Sequence, residues 1–177
     1  MKVFPEQEEK GRLMAHKEPP PEIKLLPHLI DESYEKKAWH GPTLRGSIRG
    51  LTAEQAAWRP APGRHNIWEI VVHAAYWKYA VRRRLLGEKR GSFPLKGSNW
   101  FTKPKEKSEK AWRKDIELLE VVHRALRSAI VELKPTDLDK TPVGSKVSNR
   151  AMLAGIALHD VYHAGQIQLI KRLMRRA

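Results

Sequence analysis

Three histidines, His73, His159 and His163, offer the sequence's clearest means of holding a metal ion. His159 and His163 stand at i and i+4, so on a helix both imidazoles share one face, one turn or about 6 Å apart, and two ring nitrogens can hold one ion. The residues between them are Asp160, Val161 and Tyr162. The glutamate of H-E-x-x-H is missing, so zincin-type proteolysis is not supported. Spacing alone fits a histidine pair without metal just as well. What favours a site is that both positions fall on the stripe Met152, Ile156, His159, His163, Gln166 or Ile167, Ile170 and Leu173, where an imidazole turned inward needs a partner. His73 lies on a second inward stripe, Ile67, Ile70, His73 or Ala74, Trp77, Val81 and Leu85. Alone it would read as a hydrogen-bonded core histidine; beside the pair it reads as a ligand. Three inward histidines on two helices can form a facial triad with positions left open for water or substrate.

Two further histidines are candidate catalytic residues. His123 sits on the core seam of a third helix, at the height of His159 if the two helices run antiparallel, and is either an acid/base, a fourth ligand or a hydrogen-bonded core residue. His40 stands beside the Gly41-Pro42 break and is either a general base or substrate contact, or a residue of the kink. Asp160 and Glu69 could each orient a ligand histidine by accepting its second N–H, although carboxylates on helices are more often solvated. Gln166 could touch the pocket or serve an interhelical hydrogen bond. Trp68, Trp77, Tyr76 and Tyr162 are read as packing, and His16, His28 and His65 as exposed. With no cysteine in the chain, any metal must rest on His, Asp or Glu, and disulfide and thiolate chemistry by the protein itself is excluded.

The elements that must position these residues are helices. Residues 1–22 are polar, end in Pro19-Pro20-Pro21 and read as an extended arm, leaving residues 23–177 as the domain. A first helical pattern runs from Ile23 to Leu51 through Leu25, Leu26, Leu29, Ile30, Tyr34, Trp39, Leu44 and Ile48, kinked or split at Gly41-Pro42. A capped turn at Thr52-Ala53-Glu54 and the loop Arg59-Pro60-Ala61-Pro62-Gly63 follow. The second helix opens at Asn66 and stops at Gly87. Residues 87–108, with Gly91, Pro94, Gly97 and Pro104, are long enough to cross from one end of a bundle to the other. A third helix from about Ser108 carries a heptad seam of Trp112, Ile116, Leu119, His123, Leu126, Ile130 and Leu133, and a fourth runs from Ser148-Asn149 to the end. No strand pattern of comparable length exists. The expected architecture is an all-α four-helix bundle with a crossover connection.

At 177 residues, 41% hydrophobic and 31% charged, the chain suits one packed domain. Its 34 Lys and Arg against 20 Asp and Glu leave a net charge of +14, which raises a nucleic-acid partner. The densest clusters, Arg82-Arg83-Arg84 with Lys89-Arg90 and Lys171-Arg172 with Arg175-Arg176, fall at helix C-termini, where cations are favoured by the helix dipole. A solvated helix end is therefore preferred to a nucleic-acid footprint. No apolar run approaches the roughly 20 residues needed to cross a bilayer, so no membrane partner and a soluble, cytoplasmic protein are expected.

The stretch Ala57-Trp58-Arg59-Pro60-Ala61-Pro62-Gly63-Arg64-His65-Asn66-Ile67-Trp68-Glu69-Ile70-Val71-Val72-His73 resembles a passage of the DinB/YfiT-like superfamily, a Pro-Gly loop and then a helix carrying one histidine. Leu158-His159-Asp160-Val161-Tyr162-His163-Ala164-Gly165-Gln166-Ile167 resembles the H-x-x-x-H-x-x-Q motif of that family's last helix, and the likeness covers about residues 24–174. The resemblance implies that His73, His159 and His163 are metal ligands. It also implies a metal-dependent hydrolase, or a transferase that uses a low-molecular-weight thiol such as bacillithiol, mycothiol or glutathione on a small-molecule substrate, in a family where homodimers are common. It does not carry the metal over: three imidazoles accept Zn, Ni, Fe or Mn. The competing expectation is a non-catalytic, basic nucleic-acid-binding or stress-related interaction protein with a structural metal site.

Overall fold

A computed structural model describes residues 21–176, and the arm expected over residues 1–22 lies outside the described residues except at its end. There Pro21 already opens a helix, at a position where its missing N–H costs nothing. The elements are α1 (Pro21–Tyr34), α2 (Leu44–Ser47), α3 (Ala53–Ala57), α4 (Ile67–Leu85), α5 (Glu109–Val131) and α6 (Asn149–Met174), with a 3-10 turn at Pro135–Asp137 between the last two. Among the described residues there is no strand, and the fold is all-α. Helix starts are set by side chains that accept an otherwise unpaired backbone N–H: Thr43, Thr52, Asn66, Ser108 and Ser148. At Asn66 the cap is reciprocal, Glu69 accepting from the Asn66 N–H in return.

The first helix ends sooner than its pattern suggests. It stops at Tyr34, where the N–H groups of Glu35 and Lys36 both close on the Asp31 carbonyl, and the chain then turns through Gly41 at φ 111° before α2. The pattern over residues 23–51 is thus split into α1 and α2, with Gly41-Pro42 inside the intervening loop and not at the helix end itself. Leu25 and Leu29 face outward, and Trp39, past the helix end, is fully exposed.

Four long helices pack in a ring, α1 against α5 and α6, and α4 against the same two. Asp31 meets Arg127 and Tyr34 meets His123, so α1 and α5 run in opposite directions. Trp68 meets Asp115 near the start of both helices, while Val81 shares a cluster with Leu126 further along, so α4 and α5 run parallel. Parallel neighbours cannot be joined by a tight turn, and residues 87–108 make the crossover that this requires.

Each long helix also contributes one residue to a buried polar group. Lys78 of α4 and Asp160 of α6 form an ion pair with both side chains fully buried. The Lys78 ammonium lies 5.0 Å from the ring centre of Tyr34 of α1, and His123 of α5 stacks on that ring at 3.7 Å. A buried ion pair is costly to break, because the remaining charge has neither water nor partner. Lys78→Met should lower unfolding free energy by about 3–5 kcal/mol in urea titrations, and Lys78→Met with Asp160→Leu should recover most of that loss. Equal losses in single and double variants would contradict this account.

Candidate metal centre

The ring places His73 of α4 opposite His159 and His163 of α6, with one ligating nitrogen from each within 4.8 Å of the others. Nε2 of His159 is 3.1 Å from Nε2 of His73 and 3.0 Å from Nε2 of His163. Partners on the far side of two rings decide where the protons are. Nδ1 of His73 lies 2.9 Å from the carbonyl oxygen of Asn99, which can only accept, so this nitrogen carries the hydrogen. Nδ1 of His163 lies 2.7 Å from Oε1 of Gln166, whose amide N–H donates in turn to the Tyr162 hydroxyl at 2.9 Å. Both Nε2 atoms are then bare lone pairs aimed at His159. A proton on His159 Nε2 could satisfy one of them; a cation where the three meet satisfies all. Nitrogens about 2.1 Å from a tetrahedral ion stand roughly 3.4 Å apart, close to the observed edges, so the donor set fits a divalent ion.

The ring of His73 is clamped as well as hydrogen-bonded. Trp100 stacks on it at 3.8 Å, and the other face of Trp100 is covered by His65 at 3.6 Å. His65 is bound through Nδ1 to Glu69, which also takes two hydrogen bonds from Arg59 and one from the backbone N–H of Lys103. Asn99 contributes twice, its carbonyl to His73 and its side-chain oxygen to the indole N–H of Trp77 at 2.9 Å. The loop before α4 and the crossover after it are thus tied together over one ligand.

A family model described as the DinB superfamily matches residues 38–167, a span that contains all three histidines and most of the chain. The chain belongs to the DinB superfamily. No curated protein and no solved structure matches it.

The chain does not bring every candidate to this place. His40 stands exposed in the turn after α1, because that helix ends at Tyr34. His123 is buried against Tyr34, outside the trio, and neither of its ring nitrogens has a hydrogen-bond partner. Glu69 and Asp160 are not solvated: Glu69 caps α4 and binds Arg59 and His65, and Asp160 is committed to Lys78. Orientation of the His73 and His163 rings falls instead to Asn99 and Gln166. His28 is exposed beside Glu32, while His65, half-exposed, has the stacking role described above; His16 lies outside the described residues. Sequence reasoning missed Asn99 and Trp100. The available signal was a run of aromatics, Phe93, Trp100 and Phe101, in a polar, glycine-rich stretch, since large rings in such a segment must pack on something.

Burial keeps the imidazoles neutral. It pushes His73 down to about 4, with the Asn99 carbonyl opposing the shift, and His159 down to about 3, with the other two histidines adding to it. Burial lowers His163 too, and takes His123 to about 3 with help from Lys78. Neutral imidazole is the form that ligates, so the trio is ready for a cation at neutral pH. Burial also favours a neutral Glu69, but hydrogen bonds from Arg59 and His65 outweigh it and hold the carboxyl below its ordinary value.

Because these histidines take up protons more readily when unfolded, the metal-free fold should be fully stable above about pH 6.5 and lose stability as pH falls toward 4 and 3. Urea midpoints of the chelator-treated protein should be flat from pH 8 to 7 and drop below 6.5. In His123→Leu the slope below pH 6 should be shallower by up to about 1.4 kcal/mol per pH unit. An unchanged slope would show that His123 is not held neutral by the fold.

Proposed function

We propose that this protein is a divalent-metal-dependent enzyme that activates a thiol or a water at His73, His159 and His163 and uses it on a small-molecule substrate, by S-transfer or by hydrolysis. The observation that carries the reading is the convergence of imidazole nitrogens with two of their tautomers fixed by Asn99 and Gln166. Membership of the DinB superfamily supports it. Three protein ligands leave a fourth position for a reactant, as in catalytic sites and unlike closed structural ones. His159 is only partly buried and borders a groove, which gives that reactant a way in.

A divalent ion at the trio supplies positive charge that lowers the pKa of a thiol or water beside it and polarises the group under attack. Zn, Ni, Fe and Mn all suit imidazole. The chain's own residues hold and shield. Trp100 covers one face of His73 and keeps water from that side, while the Asn99 carbonyl and Gln166 stop the His73 and His163 rings from turning. The Tyr162 hydroxyl accepts from the Gln166 amide N–H and so keeps the amide oxygen turned toward Nδ1 of His163. Tyr162 lies against His163, 5.1 Å between ring centres, and is largely exposed.

Elemental analysis of the purified protein after incubation with Zn, Ni or Mn tests the reading. About one ion per chain is expected, lost in both His159→Ala and His163→Ala, and the loaded protein should catalyse thiol transfer to a bimane electrophile or hydrolysis of an aryl ester. Removing either histidine should lower that rate by at least about a hundredfold. Protein that stays metal-free with all three ions would overturn it. The non-catalytic alternative predicts nucleic-acid binding that weakens steeply with salt.

A further inference from the structure

The groove that begins at His159 continues between α4 and α6, with a volume of about 230 Å³. Trp77, Val81, Met152 and Ile156 line it, so its walls are apolar, and it has no carboxylate. At its far end stands Arg84, whose Nε is buried without a hydrogen-bond partner. Arg84 and Trp77 also border a second cavity of about 420 Å³ beneath the crossover, lined by Arg83, Arg90 and Lys96, again with no acidic residue. Among the described residues no carboxylate pairs with Arg84, Arg90 or Lys96, while Arg83 reaches the backbone carbonyl of Glu88.

A guanidinium desolvated at Nε and left unpaired is unfavourable, and the fitting remedy is an anion with two oxygens, which takes two parallel N–H bonds from the guanidinium fork. Along α4 the eleven residues from His73 to Arg84 span about 16 Å. We propose that the groove binds an elongated organic anion, its apolar body along Trp77, Val81, Met152 and Ile156 and its carboxylate or phosphate head on Arg84. The opposite end then reaches His159, which makes the groove the substrate channel of the proposed enzyme. Only that last assignment rests on the metal-dependent reading, because binding in the groove needs no ion.

Gly155 gives an independent handle. It lines the groove, and a Cβ built there meets nothing within 4 Å. Gly155→Leu thus fills the groove without a clash in the fold, and leucine is the better helix former. Calorimetric titration of the full, chelator-treated chain with octanoate, octyl phosphate and octanol tests the proposal. One site per chain is expected, with at least one anion bound ten times or more tighter than octanol. Whichever anion binds tighter assigns the head group as carboxylate or phosphate ester. Arg84→Gln should weaken that anion by tenfold or more and leave octanol unchanged. Gly155→Leu should lose both ligands while melting no lower than wild type. Equal affinity for octanol and the anions, no effect of Arg84→Gln, retention of binding in Gly155→Leu, or no binding at all would overturn the proposal. With metal absent throughout, these outcomes stand apart from the metal titration, and either reading can fail alone.

Discussion

The ion pair between Lys78 and Asp160 is the constraint from which the rest follows. Both side chains are inaccessible to water, so each charge depends on the other for an opposite charge, and α4 and α6 can pack in the one rotation and register that brings them together. Asp160 directly follows His159, and Lys78 lies five residues beyond His73. At 100° per residue His159 and His163 sit near one another, with Asp160 turned deeper into the ring. The same register that joins the charges in the interior therefore brings the three imidazoles together nearer the surface, where His159 still reaches a groove. A slip of one turn would strand two charges as well as separate the ligands. The site is held in place by an interaction whose loss the fold can hardly tolerate.

The crossover follows from topology and then acquires a second use. Because α4 and α5 run parallel, the chain must return along the length of the ring, and its path takes residues 97–101 over His73. Turning a carbonyl toward that ring needs unusual backbone angles. Gly97 at φ 113° and Asn99 at φ 65° supply them, asparagine being one of the few residues with a side chain that enters the left-handed region readily. Trp100 follows immediately and lies flat on the histidine. A connection required for purely geometrical reasons thus fixes the tautomer of His73 and covers its face.

The three longest helices, their starts near Asn66, Ser108 and Ser148 and the inward faces that carry the three histidines were legible in the sequence, because periodicity, capping and i, i+4 spacing are local signals. What was not legible depends on where the chain goes. Asp160 and Glu69 look like surface carboxylates in a helical pattern, yet one is enclosed by the ring and the other is wrapped by the loop that carries Arg59 and His65. His40 looks inward only if the first helix continues past Tyr34; the double closure on the Asp31 carbonyl ends it. Asn99 and Trp100 belong to a segment without a period, and nothing in their neighbours specifies what they touch.

Charge then bears on what such a site can take. Neutral imidazoles bring no negative charge to a cation, and Asp160, which directly follows His159 in the chain, is already paired with Lys78. A divalent ion held by the trio would keep nearly its whole charge, in a chain of net charge +14 whose adjoining cavities are lined by Arg83, Arg84, Arg90 and Lys96. Low-dielectric walls around like charges focus the field, raising the local concentration of anions and slowing the approach of cations. An anionic reactant would then be favoured twice, first on approach and again beside such an ion, where it would supply charge that three imidazoles lack. The excess of lysine and arginine, which from the sequence alone raises a nucleic-acid partner, would find near such a site a use that needs no polymer.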